Sequence, residues 1–175
     1  MTVRDEMIDL IEYVRKLMAD TEISGNYSDE EIQRELDMSR ERLLNYELIG
    51  AGLADGSDPV QWSAEEINWD KDIVLTSMTG KIVTPLTSDE LAGTWTLSAG
   101  VPYLYATGWV YDPFRAAANL VERYAYSFGS SFDFSADGAS FNLSQKRTNL
   151  MGLANDLRRR ARMQVVRQVR NDAIE

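Results

Sequence analysis

The chain has 175 residues, of which 44% are hydrophobic, and a net charge of -10 from 28 acidic and 18 basic side chains. This length suits one domain with a real core. Because the sequence has no cysteine and no histidine, disulfides, thiolate nucleophiles, Ser-His and Cys-His catalytic arrangements, and metal sites built on either residue are excluded. We therefore expect no enzyme, no catalytic residues, no cofactor and no metal. We also expect no membrane association, because no apolar run approaches the roughly 20 residues of a membrane span.

Two helices are predicted near the N-terminus. Between Met7 and Met18, apolar residues recur at three- and four-residue spacing, which predicts a helix at about residues 3 to 19. Ser28 followed by Glu31 is a capping-box pattern, which predicts a second helix from about 29 to 44. We assign residues 1 to 49 to the N-terminal helical part of the core.

A β region is predicted from residue 50 to 111, where glycines, a proline and short strand-like runs replace the helical period. It holds a hairpin at Gly80 and all four tryptophans, Trp62, Trp69, Trp95 and Trp109. Two interpretations of the tryptophans stay open. They form the core of a small inserted subdomain, or they form a subunit interface, since aromatic residues are enriched where partners bury each other's surfaces.

Two further helices are predicted in residues 112 to 175, the C-terminal helical part. Asp112 and Pro113 are suited to the N-cap and first helical position, which predicts a helix at about 113 to 128. A long amphipathic helix is predicted at about 143 to 170, with an apolar face from Leu143 to Val165. The opposite half of this helix carries six arginines: Arg158, Arg159, Arg160, Arg162, Arg167 and Arg170.

The charge is unevenly distributed, because residues 1 to 141 hold 25 acidic and 10 basic residues while residues 142 to 175 hold 3 and 8. The basic helix is consistent with a solvated face, with phosphate contacts to nucleic acid, or with a docking arm for an acidic protein surface. Sequence-specific DNA binding is disfavoured, because the acidic body would repel phosphate.

One loop has part of a calcium-binding pattern. Asp133, Ser135, Asp137 and Gly138 match positions 1, 3, 5 and 6 of an EF-hand loop, but position 12 is Ser144 where a bidentate glutamate is needed. We interpret this segment as an Asp-Gly turn and predict no metal there.

These elements predict an α+β protein that is mainly α. We expect a four-helix core that includes the long C-terminal amphipathic helix, with a small inserted β subdomain.

Several segments resemble the head-to-tail connector (adaptor) proteins of tailed bacteriophages. They are Tyr111-Asp-Pro-Phe-Arg-Ala-Ala-Ala, Phe132-Asp-Phe-Ser-Ala-Asp-Gly-Ala-Ser, Ser144-Gln-Lys and the stretch from Leu153 to Ala161. Leu91-Ala-Gly-Thr-Trp-Thr and Ala106-Thr-Gly-Trp-Val extend the likeness, which covers about residues 92 to 163. The β region departs from a minimal, all-helical adaptor.

The resemblance implies a structural virion protein, made in the host cytoplasm and located in the virion neck at the head-tail junction. It implies a homo-oligomeric ring of twelve between the portal protein and a stopper or tail-completion protein, with DNA passing through the channel without specific binding. The six arginines of the basic helix would then dock on the portal. The alternatives are another neck component, such as a head-completion or stopper protein, and a small nucleic-acid-binding protein that acts through the basic helix.

Overall fold

The structure is a computed structural model that describes residues 2–18, 21–51, 57–128, 134–136, 139–141 and 143–161. A 3-10 turn at Asp5–Met7 leads into the first of five α-helices in this part of the chain. The helices are α1 (Ile8–Met18), α2 (Thr21–Gly25), α3 (Asp29–Ser39), α4 (Pro113–Ser127) and α5 (Leu143–Arg160).

The described residues form ten strands in three antiparallel sheets. The strands are β1 (Glu41–Glu47), β2 (Ile49–Gly50), β3 (Gln61–Ser63), β4 (Val74–Ser77), β5 (Ile82–Val83), β6 (Thr87–Asp89), β7 (Thr94–Thr96), β8 (Leu104–Val110), β9 (Phe134–Ala136) and β10 (Ala139–Phe141). The first sheet has the order β1-β8-β4-β5 and the second β2-β3-β7-β6, while β9 and β10 form a separate hairpin.

The helices pack around one apolar core, to which α1, α3, α4 and α5 each contribute buried side chains. Their starts follow local sequence rules. The Ser28 side chain accepts a hydrogen bond from the Glu31 amide, and the Glu31 carboxylate accepts one from the Ser28 amide, so both ends of the capping box are present. The Asp112 side chain accepts from the Arg115 amide, and Pro113 occupies the first turn of α4.

The two four-stranded sheets share a second core rich in tryptophan. The side chains of β8 alternate strictly, so that those of Leu104, Ala106 and Val110 are buried. The indoles of Trp69 and Trp95 meet edge to face, with ring centroids 6.0 Å apart. These two rings fill the centre of the sheet core.

The edge strand β1 is irregular. Its pairing with β8 shifts register between Leu43 and Tyr46, and Asn45 between them has a positive φ of 49°. Asparagine tolerates this left-handed conformation better than most residues. The result is a bulge in the middle of β1.

The prediction of a mainly α protein with a four-helix core and a small β subdomain was wrong. The structure is α+β, with two four-stranded sheets beside five helices in the described residues. The predicted second helix was too long, because residues 41 to 47 form β1. Long-range pairing of Glu41 with Val110 overrides the local helical pattern there, so the sheet also draws on a segment that we had assigned to the helical part.

A buried carboxylate joins α3 to α4. Glu35 on α3 is 3% exposed and accepts hydrogen bonds from the Arg123 Nη2 atom at 2.7 Å and the Asn119 Nδ2 atom at 2.8 Å. A buried charge is tolerated only when it is paired and hydrogen-bonded. This contact therefore fixes the two helices in register.

We expect Glu35→Ala to lower the free energy of unfolding by about 2 kcal/mol. Breaking a buried pair costs about 3 to 5 kcal/mol, but the Arg123 side chain is 55% exposed and water can solvate it in the variant. Urea denaturation would measure the change. Glu12→Ala is the matched control, since Glu12 is an exposed glutamate paired with Lys16, and a loss of equal size there would contradict the assignment.

Candidate interaction surfaces

The C-terminal helix α5 is anchored to the body of the molecule by both apolar and charged contacts. Its buried residues Leu150, Ala154 and Leu157 pack in the helical core. Arg158 forms an ion pair with Glu122 of α4, and the Lys146 Nζ atom lies 2.8 Å from a carboxylate oxygen of Glu22. One side of α5 is thus fixed against acidic residues of the body.

The arginines predicted to dock on the portal are placed in different environments. Arg158, Arg159 and Arg160 are all exposed, but only Arg158 among these three forms an ion pair with α4, through Glu122. Among the residues that the structure describes, Arg159 forms an ion pair only with Asp156 of its own helix, at 3.5 Å. Arg162, Arg167 and Arg170 lie outside the described residues. The docking hypothesis therefore rests here on Arg159 and Arg160.

The four tryptophans differ in burial. Trp62, Trp69 and Trp95 are 4%, 1% and 1% exposed and form the sheet core of this chain. Trp109 is only half-buried and points to the opposite side of β8. The hypothesis of a subunit interface is therefore carried forward on Trp109 alone.

The first sheet carries apolar side chains on the face that points away from the tryptophan core. We define the Trp109 face by the residues that share it: Arg42, Glu47, Val74, Thr76, Ile82, Tyr105, Thr107 and Trp109. The strand registers place Arg42 beside Trp109, Val74 beside Thr107, and Thr76 between Tyr105 and Ile82. Because side chains alternate along a strand, these residues share the face opposite the tryptophan core.

The Trp109 face carries apolar side chains and charges of both signs, because Arg42 lies opposite Trp109 and the exposed Glu47 lies opposite Tyr105. Val74 is 42% exposed and Ile82 is 70% exposed. The guanidinium carbons of Arg40 and Arg42 lie 4.7 and 5.9 Å from the centroid of the Trp109 ring. This is cation-π geometry, which holds both cations over the indole.

A charged junction joins the helical layer to the first sheet. The Asp70 carboxylate accepts a hydrogen bond from the Tyr111 hydroxyl at 2.8 Å and one from the Arg40 Nη1 atom at 2.9 Å. The Arg4 Nη2 atom contacts Asp37 at 2.5 Å and the Tyr111 hydroxyl at 3.2 Å. One continuous network thus links the N-terminus, the end of α3 and the end of β8.

Burial of Tyr111 raises the pKa of its hydroxyl well above the ordinary value of 10.0, and the hydrogen bond to Asp70 and the negative charge of that carboxylate add to the shift. The hydroxyl therefore stays protonated through the range in which an unfolded tyrosine ionises. The junction keeps its donor under all physiological conditions.

A pocket of about 320 Å³ lies beside this junction. Its walls are the 3-10 turn and the start of α1 on one side, and the segments around Trp69 and β6 on the other. Six carboxylates and one lysine line it: Asp5, Glu6, Asp9, Asp70, Asp89, Glu90 and Lys71. Such a lining attracts cationic groups, yet no group of acidic side chains among the described residues is arranged to hold a metal ion.

Most of the loop that partly matches a calcium-binding pattern lies outside the described residues. Asp133, Asp137 and Gly138 are not described, and Ser135 is a residue of β9, which pairs with β10. The prediction of a turn without metal therefore remains a prediction.

The junction residues Arg4, Asp37, Asp70 and Tyr111 were missed by sequence reasoning. Arg4 and Tyr111 are 107 positions apart, and no short motif connects them. The available signal was the combination of Tyr111 at the end of a strand pattern with Asp112 as a helix cap, which marks the point where the sheet meets the helices.

We expect Tyr111→Phe to lower the free energy of unfolding by about 1 to 2 kcal/mol at neutral pH, because the Asp70 carboxylate loses a buried donor. Above pH 10 the unfolded wild type loses the Tyr111 proton while the folded wild type keeps it, so the wild type loses stability as the pH rises. The variant has no hydroxyl at this position and does not lose stability in this way, so the difference in free energy of unfolding between the two proteins should become smaller. Urea denaturation at neutral pH and above pH 10 would measure the free energy of unfolding of both proteins. Tyr13→Phe, at an exposed tyrosine, is the control. A difference in free energy of unfolding that stays the same at both pH values would contradict the raised pKa of Tyr111.

Comparison with known proteins assigns no relative to this chain: no family model matches it, and no curated protein or solved structure matches it either. Within the described ranges, none of the helices combines the length and apolarity needed to cross a bilayer. The surfaces described above therefore carry the functional argument.

Proposed function

We propose that this chain is a structural head-to-tail connector of a tailed bacteriophage and not an enzyme. In this proposal, copies of the chain form a ring in the virion neck, between the portal protein and a stopper or tail-completion protein. The observation that carries it is a basic helix end mounted on an acidic body, in a chain whose segments around Tyr111 and Leu153 resemble connector proteins.

The mounting of α5 supports a docking role. Its ion pairs with Glu22 and Glu122 neutralise charges next to the body, while Arg159 and Arg160 remain exposed. Fixed cations on a rigid helix lose less conformational freedom on binding than cations on a loop. An acidic patch on the portal is the partner that this arrangement fits.

The acidic body supports the role of a conduit. Residues 1 to 141 carry 25 acidic and only 10 basic residues, and like charge weakens contact with DNA at physiological ionic strength. A channel wall built from such a surface would let the genome slide past without binding it. In the proposed ring, DNA is cargo and not a ligand.

We expect Arg159→Gln combined with Arg160→Gln to weaken attachment to purified portal protein about tenfold, because exposed ion pairs contribute about 0.2 to 1 kcal/mol each and two are lost. A pull-down titration at low salt would measure it. Arg34→Gln combined with Arg115→Gln is the matched control, since both arginines are exposed and lie on other helices. Equal loss in both double variants would point to net charge alone and discard the docking role.

Location in the particle tests the function directly. We expect immunogold electron microscopy to place this chain at the head-tail junction of the virions that contain it. Virions without label at the junction would contradict the connector role. A steep fall of DNA affinity with rising salt would then favour nucleic-acid binding through the basic helix.

A further inference from the structure

We propose that a hinge joins the helical layer to the sheet layer, and that the charged junction around Asp70 is the lock that holds this hinge at one angle. The hinge lies where the chain passes between the layers, at Arg40 and at Tyr111 and Asp112. When the lock is released, the two layers move relative to each other as rigid bodies. This inference does not depend on the connector role.

Each layer has an apolar core of its own. In the described residues, the tryptophan core takes its side chains from the segment between Leu43 and Val110 and includes none from a helix. The helical core takes Leu91 from the sheet layer, and Tyr111 from the point where the chain returns to the helices. Because apolar burial is the dominant favourable contribution to folding, each layer is held together mainly by its own side chains.

The described chain passes between the layers at two places that lie side by side. It leaves the helices after Ser39, the last residue of α3, and returns at Asp112, the N-cap of α4. Glu41 and Val110, the first and last residues of the sheet layer, are paired in β1 and β8. Arg40, with a ψ of 151°, and Asp112, with a ψ of 91°, are both extended. A few residues at the ends of rigid elements are the usual site of a hinge.

The contacts that fix the angle of this hinge are polar. Asp70 of the sheet layer accepts hydrogen bonds from the Tyr111 hydroxyl and from Arg40. The same hydroxyl accepts one from Arg4, which is held by Asp37 of α3. Hydrogen bonds have a preferred angle as well as a preferred distance, so these contacts fix an orientation that apolar contact alone does not. These four side chains and Arg40 therefore form the lock.

A further contact across the boundary is weaker. The Lys71 Nζ atom lies 3.5 Å from a carboxylate oxygen of Glu6, and the lysine side chain is 61% exposed. An exposed ion pair of this kind contributes little, because water and salt screen it. The pocket beside the junction has one wall from each layer, so rotation about the hinge changes its width.

Distances between the two layers test the hinge. The chain has no cysteine, so Lys16→Cys on α1 and Lys81→Cys between β4 and β5 place one spin label on each layer, at exposed positions. Pulsed electron paramagnetic resonance measures the distribution of distances between the labels. We expect a single narrow distribution when the junction is intact. Tyr111→Phe should widen it at least about twofold, because phenylalanine keeps the apolar contacts and removes the hydroxyl.

A second lock variant and two controls accompany this measurement. Arg4→Gln removes the guanidinium from the other side of the junction and should widen the distribution in the same way. Glu35→Ala breaks a buried contact within the helical layer and should leave the distances between the layers unchanged. Labels at Lys16→Cys and Asn155→Cys, both on helices, should keep a narrow distribution in every variant. Circular dichroism would confirm that each variant is folded.

The inference is overturned if the wild type and both lock variants give distributions of the same width between the layers. It is also overturned if Glu35→Ala widens this distribution equally, or if the label pair within the helical layer widens equally in the lock variants. The loosening would then belong to the whole molecule and not to the boundary between the layers.

Discussion

The relation between the two halves of the molecule depends on the Asp70 carboxylate. This group is 7% exposed and would be costly to bury alone, since an unpaired charge in a protein interior loses its hydration without compensation. Tyr111 and Arg40 each donate a hydrogen bond to this carboxylate. Both residues lie where the chain passes between a helix and a strand: Tyr111 follows β8 and precedes α4, and Arg40 lies between α3 and β1. The helical layer and the sheet layer are thus joined through one buried negative charge.

This joint also shapes the surface next to it. Arg40 contacts Asp70 with a guanidinium nitrogen, and its guanidinium carbon lies 4.7 Å from the centroid of the Trp109 ring. The Asp70 carboxylate thus holds Arg40, and Arg40 in turn contacts the Trp109 ring. A surface held in this way loses little conformational entropy when it binds, which favours a rigid contact over an adaptable one.

Much of the helical half was predictable from the sequence because its signals are local. The capping box at Ser28 and the Asp112-Pro113 pair each fixed a helix start that the structure reproduces. The end of α3 was not predictable, because residues 41 to 47 become a strand only through pairing with β8, some sixty positions later. For a related reason, the sequence could not decide whether the tryptophans form a core or a subunit interface. Whether Trp69 and Trp95 can bury each other depends on how the two sheets pack.

The candidate surfaces were predictable only in part. The run of arginines from Arg158 to Arg160 is visible in the sequence, but the loss of Arg158 to Glu122 is a fact of tertiary packing. Half-buried Trp109 could not be distinguished from the three buried tryptophans, because alternation along β8 decides burial only once the strand's phase and neighbours are known.

The bulge in β1 has a consequence for the exposed edge of the first sheet. An edge strand with a regular backbone offers a row of free amides and carbonyls on which a foreign strand can add, and repeated addition leads to fibrils. The left-handed Asn45 and the shifted register interrupt that row in the middle of β1. Strand addition along the β1 edge of the sheet is thereby hindered.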